Sequence, residues 1–226
     1  QLTENVLFSE IQVLQSSFSM GSMDSITANF AKLKAINMLN TKYFIVPGHN
    51  NVSFPIRNPY ALGNAWFISN PVIVEDADAE LGNIRNADFN PAQTAFINKK
   101  YADFVNNFKP GIDSSASIRL KSYKPNELIY ESQSSIEQIA IFSEIYYPYG
   151  WNVTIDGQSV ESFRANFVLR ALRVPAGKHE IIFKFLPESV VKGEKISSIS
   201  SVALLLIAAV ALGFGLFQEF KNKEEK

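Results

Sequence analysis

The sequence predicts an α+β protein, with a small mixed α/β segment, then an antiparallel β-sandwich of the jelly-roll or immunoglobulin-like kind, then one transmembrane helix. Three observations predict it. Helical and extended patterns alternate in the first part of the chain, short strands separated by turn residues fill residues 111–190, and an uncharged run occupies residues 196–218. We therefore expect boundaries at 1–110, 111–190 and 196–218, with a cytoplasmic tail at 219–226.

The N-terminal residues are predicted to be mostly helical and then extended. Asp24 or Ser25 can cap a helix that runs through Asn40, because short polar side chains accept hydrogen bonds from free N–H groups at a helix start. A short apolar strand, residues 43–46, ends at Pro47. The apolar residues at helical spacing on this predicted helix are Ile26, Phe30, Leu33, Ile36 and Leu39.

The middle of the chain is mixed. Residues 58–74 predict a loop that leads into an extended run, and Pro71 places that run at a sheet edge because proline donates no ladder hydrogen bond. Residues 75–89 predict a short helix with acidic residues in its first turn, where they complement the helix dipole. Asn90-Pro91 ends this helix, and QTAFI, residues 93–97, predicts a strand.

The predicted sandwich consists of short strands with turn residues between them. The IAIF run, residues 139–142, is apolar enough for a central strand. Asp156-Gly157 predicts a type I′ turn in the hairpin WNVTIDGQSV. The last two strands are predicted to pair, with Ile181, Phe183 and Phe185 on one face. The predicted strands are residues 116–123, 127–132, 138–147, the hairpin 151–160, and the last two at 167–174 and 179–187.

The uncharged run predicts a membrane span. As a helix, residues 196–218 would extend about 34 Å, enough to cross a hydrocarbon core of about 30 Å. Its apolar residues surround the helix, whereas a surface helix of a soluble domain would show one polar face. A fully buried core helix is the alternative, but a domain of this size rarely encloses so long a helix.

The charges predict orientation and exclude one class of partner. Three lysines follow the predicted span and two precede it, a bias that predicts a cytoplasmic C terminus and extracytoplasmic residues 1–195. The lipid bilayer is therefore the expected partner. A net charge of −1 without a basic run gives no electrostatic case for nucleic acid. Because the chain begins with Gln1 and not Met, we expect it to be processed or part of a longer protein.

The densest aromatic cluster in the sequence is SEIYYPYGW. Its rings, Tyr146, Tyr147, Tyr149 and Trp151, are candidates for substrate binding as a sugar-stacking platform, or for contact with the lipid interface. The simpler interpretation is that they cap the core of the sandwich.

Arginines are the second group of candidates. Arg164 and Arg170, with Arg173 nearby, could bind substrate or lipid phosphates because the guanidinium fork matches phosphate oxygens. The simpler interpretation is that they are strand-surface charges that keep a sheet edge soluble.

The remaining polar residues form no pattern typical of a cofactor site, a metal site or a catalytic group, so we expect none within this chain. The acidic run EDADAE, residues 75–80, lacks the spacing of a calcium loop and suits a helix N terminus. The two histidines, His49 and His179, stand in no metal-binding spacing. The chain has no cysteine, which excludes disulfides and cysteine ligands.

Three stretches carry a resemblance to a known family: INMLNTKYFIV at residues 36–46, NPYALGNAWFI at residues 58–68, and SEIYYPYGW through HEIIFKF at residues 143–185. Together they resemble the C-terminal part of the bacterial YfhO family of large multi-pass membrane proteins, in a form typical of the Bacteroidetes. The final hydrophobic span and its short charged tail are similar to that family as well.

The resemblance implies an activity and a location. The family is similar to membrane glycosyltransferases that take sugars from polyprenyl-phosphate carriers, which implies the bacterial cytoplasmic (inner) membrane, a polyprenyl-phosphate sugar and an envelope glycan acceptor. The catalytic acidic residue of such enzymes is expected upstream of Gln1. The alternative is a membrane-anchored, non-enzymatic binding or scaffold module of the cell envelope, and a third possibility is a soluble carbohydrate-binding domain.

Overall fold

The computed structural model describes residue 2 and residues 6–20, 23–47 and 52–224. The chain forms two compact units. The first comprises residues 1–148 and 152–184, and the second comprises residues 149–151 and 185–226.

The first unit opens with helices, but the predicted long helix is divided. The continuous helix predicted from Asp24 or Ser25 through Asn40 is wrong, because the chain leaves helical geometry after Phe30 and resumes it at Lys34. The helices are α1 (Phe8–Met20), α2 (Met23–Phe30) and α3 (Lys34–Met38). The predicted apolar face survives the break, and its members that pack into one cluster are Ile26, Phe30, Leu33 and Ile36.

A buried carboxylate explains the break. The side chain of Glu10, on α1, accepts hydrogen bonds from the backbone N–H groups of Ala35 at 2.9 Å and Ile36 at 3.0 Å. In a continuous helix these N–H groups would donate to carbonyls of the preceding turn. At the start of a new helix they need another acceptor, which Glu10 supplies from a position 25 residues earlier than Ala35.

The strands of the described residues form four sheets. The two largest have the orders β10-β9-β13-β7-β6 and β11-β12-β8-β3, and the registers recorded within them are antiparallel. The predicted antiparallel sandwich is therefore confirmed. The strands are β1 (Tyr43–Pro47), β2 (Ser53–Arg57), β3 (Ala65–Ile68), β4 (Asn70–Val74), β5 (Thr94–Asn98), β6 (Ser117–Lys124), β7 (Glu127–Ser134), β8 (Gln138–Ile145), β9 (Trp151–Ile155), β10 (Gln158–Val160), β11 (Phe163–Ala165), β12 (Leu169–Val174) and β13 (Gly177–Phe185).

The four-stranded sheet is covered on both faces, and β8 lies in its interior. The four residues 139–142 are completely buried, which confirms the central position predicted from their apolar run. On one face, Ile139 and Ile141 join a cluster with residues of the N-terminal half of the chain. On the other face, the ring of Phe142 lies 4.8 Å from that of Tyr130 and 4.9 Å from that of Phe183, both on the five-stranded sheet.

The N-terminal half supplies one strand of the sandwich and the layer that covers it. β3 pairs with β8, although it precedes the predicted boundary at residue 110, which stays a prediction. β4, α4 (Ala77–Ile84) and β5 form a parallel β-α-β unit, and a 3-10 helix (Lys99–Phe104) follows β5. The predicted helix in residues 75–89 and the strand predicted at QTAFI are confirmed, and Pro71 lies in β4, an edge strand of a two-stranded sheet.

The last two strands of the sandwich do not pair with each other, so the predicted last strand pair is wrong. β12 pairs with β8 and β11, whereas β13 pairs with β7. The turn between β12 and β13 therefore connects the two sheets. Two strands that are adjacent in sequence need not pair, so the sequence did not reveal this crossing. The predicted hairpin of β9 and β10 is confirmed, with positive φ at Asp156 and Gly157 as a type I′ turn requires.

The second unit contains the long helix α5 (Glu188–Glu224). Residues 188–215 of this helix are long and apolar enough to cross a membrane, and an 18-residue window within them has a mean hydropathy of 2.3 and no buried residues. Among the described residues it is the single such segment. The helix begins earlier than residue 196, where the predicted span starts, and the exact span bounds stay a prediction.

Phe142→Ala should destabilise the first unit by about 3–5 kcal/mol, because the substitution removes a fully buried ring that joins the two sheets. Guanidinium unfolding of the full chain in detergent, followed by near-ultraviolet circular dichroism, measures the change. Ile145→Ala is the matched control: this residue ends the same strand but is exposed, so its loss should cost less than about 0.5 kcal/mol. Equal effects of the two substitutions would contradict the assigned role of Phe142.

Candidate functional site

The four predicted aromatic residues are divided between the two units. Tyr146 and Tyr147 belong to the first unit, and Tyr149 and Trp151 belong to the second. The ring of Tyr146 lies edge-on to Tyr101 of the 3-10 helix, at a centroid distance of 5.9 Å, and burial raises the pKa of Tyr146. Tyr146 is therefore half-buried against its own unit, while the side chain of Tyr147 is exposed.

In the second unit the corner at residues 149–151 is bound to the segment that leads into α5. The N–H of Leu186 donates to the carbonyl of Gly150 at 2.6 Å, and the ring of Trp151 lies 5.1 Å from that of Phe185. Gly150 has a φ of 87°, and a Cβ there would lie 3.0 Å from Phe185 and Pro187. Only glycine allows this conformation and this close approach together.

Tyr149 is the most exposed ring of the corner. It is 70% exposed, whereas Trp151 is partly covered by its contact with Phe185. The second unit therefore presents a largely exposed aromatic side chain in the corner that is bound to the segment preceding α5.

Arg164 is held by a buried carboxylate. Its guanidinium lies 2.6 Å from the side chain of Glu80 on α4, which is completely buried, and also lies over the ring of Phe167 at 5.4 Å. Burial raises the pKa of Glu80, and the positive charge of Arg164 opposes that rise. The ion pair ties α4, in the layer that covers the sandwich, to β11 of the four-stranded sheet.

Arg170 lies inside the sandwich. It is 2% exposed, its guanidinium stands 4.6 Å from the ring centroid of Phe183, and it donates to the carbonyl of Ile145 at 3.5 Å. Burial lowers the pKa of Arg170, while the nearby Glu144 raises it. Arg170 is thus not a strand-surface charge. Arg173, two residues on, pairs with Glu137 at 2.7 Å.

Asp156 and His179 form a pair that the sequence does not reveal. Nδ1 of His179 lies 2.6 Å from the Asp156 carboxylate, and Nε2 lies 3.2 Å from the carbonyl of Ala176. Both ring nitrogens face acceptors, which favours the charged imidazolium with two N–H donors. Accordingly the hydrogen bond to Asp156 raises the pKa of His179, and the same bond lowers the pKa of Asp156.

The sequence places Asp156 in a turn and His179 at the start of a strand, which are separate local features. Only the arrangement of β9 beside β13 brings them together, with the N–H of Glu180 donating to the same carboxylate at 2.9 Å. The other histidine, His49, lies outside the described residues. Within the described ranges, no group of three or more His, Asp or Glu side chains is placed to hold a metal ion.

A β-sandwich that continues directly into a long apolar helix defines a class, that of membrane-associated β-sandwich proteins. Comparison with known families narrows the class. Residues 98–197 match the family model described as "Bacterial membrane protein YfhO". These residues run from the end of β5 into α5 and make up less than half of the chain, and their match confirms the resemblance to the YfhO family seen in the sequence. No curated protein and no solved structure matches.

The Asp156–His179 pair should make the stability of the chain depend on pH. Because the folded pKa of His179 is raised, its stabilisation is complete below the unfolded pKa of about 6.5 and is lost as pH rises through the folded value. We therefore expect His179→Gln to reduce stability at about pH 5.5 and to have a smaller effect at about pH 9. Guanidinium unfolding of the full chain at both pH values measures this.

The control is the double variant His179→Gln with Asp156→Asn. Since the folded pKa of Asp156 is lowered, its contribution is present above the unfolded pKa of about 3.9 and disappears as pH falls through the folded value. If the two residues stabilise each other, the double variant should cost less than the sum of the single variants. Additive costs at about pH 5.5 would show that the pair contributes nothing.

Proposed function

We propose that this chain is the extracytoplasmic C-terminal region and last transmembrane helix of a polytopic membrane protein that transfers sugars from polyprenyl-phosphate carriers to cell-envelope glycans. The observation that carries the proposal is the YfhO family match, which continues into the apolar helix α5. On this proposal residues 1–195 lie outside the cytoplasm, and the tail at 219–226 lies inside at the inner membrane.

The second unit supports a contact with a lipid-linked sugar. Residues 149–151 are bonded to residues 185–187, which immediately precede α5. Along a helix, Glu188 and Ile196 are separated by about 12 Å, at about 1.5 Å per residue. The headgroup layer of one leaflet is about 5–8 Å thick. With α5 upright, the corner would thus stand just above the headgroups, where a sugar on a membrane-held phosphate projects.

Among the candidate residues, Tyr149 and Trp151 are best placed for this role. An exposed aromatic ring can stack on the apolar face of a sugar. Tyr149 is exposed and is followed by Gly150, which is hydrogen-bonded to the segment that precedes α5. Arg164 is already paired with Glu80, and a substrate phosphate could reach Arg170 only if the interior of the sandwich opened. In this proposal the sandwich covers the acceptor side of the active site, and the catalytic acidic residue belongs to the part of the protein upstream of Gln1.

Trp151→Ala in the full-length parent protein should lower the rate of glycosyl transfer by about tenfold while leaving its abundance in the membrane unchanged, as expected for loss of a stacking contact. Tyr149→Ala should have a similar effect, and because this ring is largely exposed its removal should not unfold the domain. Transfer of radiolabelled sugar in membrane vesicles, with quantitative immunoblotting, measures both quantities.

Tyr123→Ala is the matched control, since Tyr123 is a similarly exposed tyrosine on the outer strand β6. It should leave transfer unchanged. If abundance falls in proportion to activity for Trp151→Ala and Tyr149→Ala, the corner is structural and the proposed sugar contact is wrong.

The polytopic part of the proposal has a separate test. The reading frame upstream of Gln1 should continue for several hundred residues that contain further hydrophobic spans. A start codon or signal sequence close to Gln1 would instead favour a membrane-anchored binding or scaffold module.

A further inference from the structure

The hairpin of β1 and β2 is apolar on both of its faces. On its inner face, Phe44 and Val46 pack against the apolar cluster of α2 and α3, and the ring of Phe44 lies 4.6 Å from that of Phe30. Because side chains alternate along a strand, Tyr43 and Ile45 lie on the opposite, outer face. A hairpin with one face on a core normally presents polar side chains to water on the other face.

The outer face of the hairpin is open to solvent within the part of the chain that the structure describes. Ile45 is 76% exposed and Tyr43 is 59% exposed, and Pro55, which is paired with Ile45 in the register, is exposed as well. Val52 and Phe54, nearer the turn, are also exposed. Strands that are apolar on both faces are typical of sheets that are covered on both sides, so this face suits an apolar partner.

The charged residues of the hairpin are basic and lie at its base. Lys42 directly precedes β1, and Arg57 ends β2 opposite Tyr43; both side chains are exposed. The surrounding residues 25–74 contain four lysines and arginines and no Asp or Glu, although the whole chain has a net charge of −1. Lys42 and Ile45 are separated by about 10 Å along the strand, at about 3.3 Å per residue. The hairpin therefore carries positive charge at its base and apolar side chains nearer its turn.

The surface of a lipid bilayer offers the complementary order of layers. Its phosphates lie outermost, and the acyl chains begin beneath a headgroup layer about 5–8 Å thick. Segments that lie at this interface bury their apolar side chains about 5–10 Å deep, which matches the separation of Lys42 from Ile45. Tyrosine is enriched at the same boundary, because its ring is apolar and its hydroxyl group is polar. An apolar protein partner would match the exposed side chains but would not account for the separate position of the cations.

We propose that the hairpin of β1 and β2 is a membrane-docking site. It inserts Tyr43 and Ile45 at the boundary between headgroups and acyl chains, and it places Lys42 and Arg57 against the phosphates of anionic lipids. This contact belongs to the first unit and is separate from the apolar helix α5 of the second unit. It goes beyond the proposed function, because it requires neither sugar transfer nor the aromatic corner at residues 149–151.

The experiment uses the full chain reconstituted in nanodiscs of phosphatidylcholine and anionic phosphatidylglycerol. The chain has no cysteine, so Ile45→Cys supplies the single attachment point for a nitroxide spin label. Power-saturation electron paramagnetic resonance compares collisions of the label with oxygen, which concentrates among the acyl chains, and with a nickel chelate, which stays in water. At position 45 the label should collide mainly with oxygen and should lie about 5–10 Å deep in the interface.

Two other labelled positions serve as controls. Ile112→Cys is the matched control, because Ile112 is an isoleucine of the first unit that is 88% exposed and lies outside the hairpin; its label should collide mainly with the nickel chelate. Leu206→Cys lies in the apolar part of α5, and its label should collide mainly with oxygen. The Leu206 label thus tests the membrane span of the proposed function separately from the docking of the hairpin.

The cations are tested in the chain labelled at position 45. Lys42→Gln combined with Arg57→Gln should lower the ratio of docked to free hairpin by roughly tenfold, because each cation adds attraction to an anionic surface. Nanodiscs of phosphatidylcholine alone should lower this ratio for the unchanged hairpin as well. Lys109→Gln combined with Lys178→Gln is the matched control: it removes the same charge from two exposed lysines elsewhere in the first unit and should leave docking unchanged.

Three results would overturn the proposal. Frequent collisions of the label at position 45 with the nickel chelate would place the outer face in water. Few collisions with either reagent would place it against protein, as in a contact between two copies of the chain. Docking that survives the loss of both cations and of the anionic lipid would show that Lys42 and Arg57 do not bind lipid phosphates.

Discussion

The packing of the first unit depends on β8, because this strand is covered on both of its faces. Ile139 and Ile141 contact the N-terminal layer, while Phe142 contacts the aromatic rings of the opposite sheet. Because side chains on its two faces pack against different layers, this strand joins the β-α-β layer to the rest of the sandwich.

The buried charged residues of this unit also lie where its layers meet. Glu80 of the covering layer pairs with Arg164 of the four-stranded sheet, whereas Arg170 lies between the sheets against Phe183. Removing one partner of a buried pair leaves an uncompensated charge, which is far more costly than losing a surface charge. Arg164 and Arg170 are therefore better understood as parts of the packing than as a free phosphate-binding surface, and the aromatic corner at residues 149–151 is the candidate that remains accessible.

The aromatic corner at residues 149–151 is held by contacts within the second unit. The carbonyl of Gly150 accepts a hydrogen bond from the N–H of Leu186, in the segment that precedes α5. Glycine at position 150 allows Phe185 and Pro187 to come closer than any side chain there would permit. A membrane-associated chain that matches the YfhO family model at residues 98–197 thus has one aromatic corner tied to the segment that precedes its apolar helix.

The sequence by itself determined the features that depend on neighbouring residues. Each of these features reflects the residue periodicity or the turn chemistry of one short segment, so it can be predicted from that segment alone. They are the alternating apolar and polar residues of the strands, the Asp156-Gly157 turn, the buried run at residues 139–142 and the apolar helix. Only the tertiary structure decided the rest. The cap that Glu10 provides to α3, the separation of β12 and β13 into different sheets, and the burial of Arg170 arise from contacts between distant segments. Local patterns carry no record of which distant segment supplies an acceptor or a covering ring, so these features follow from packing alone.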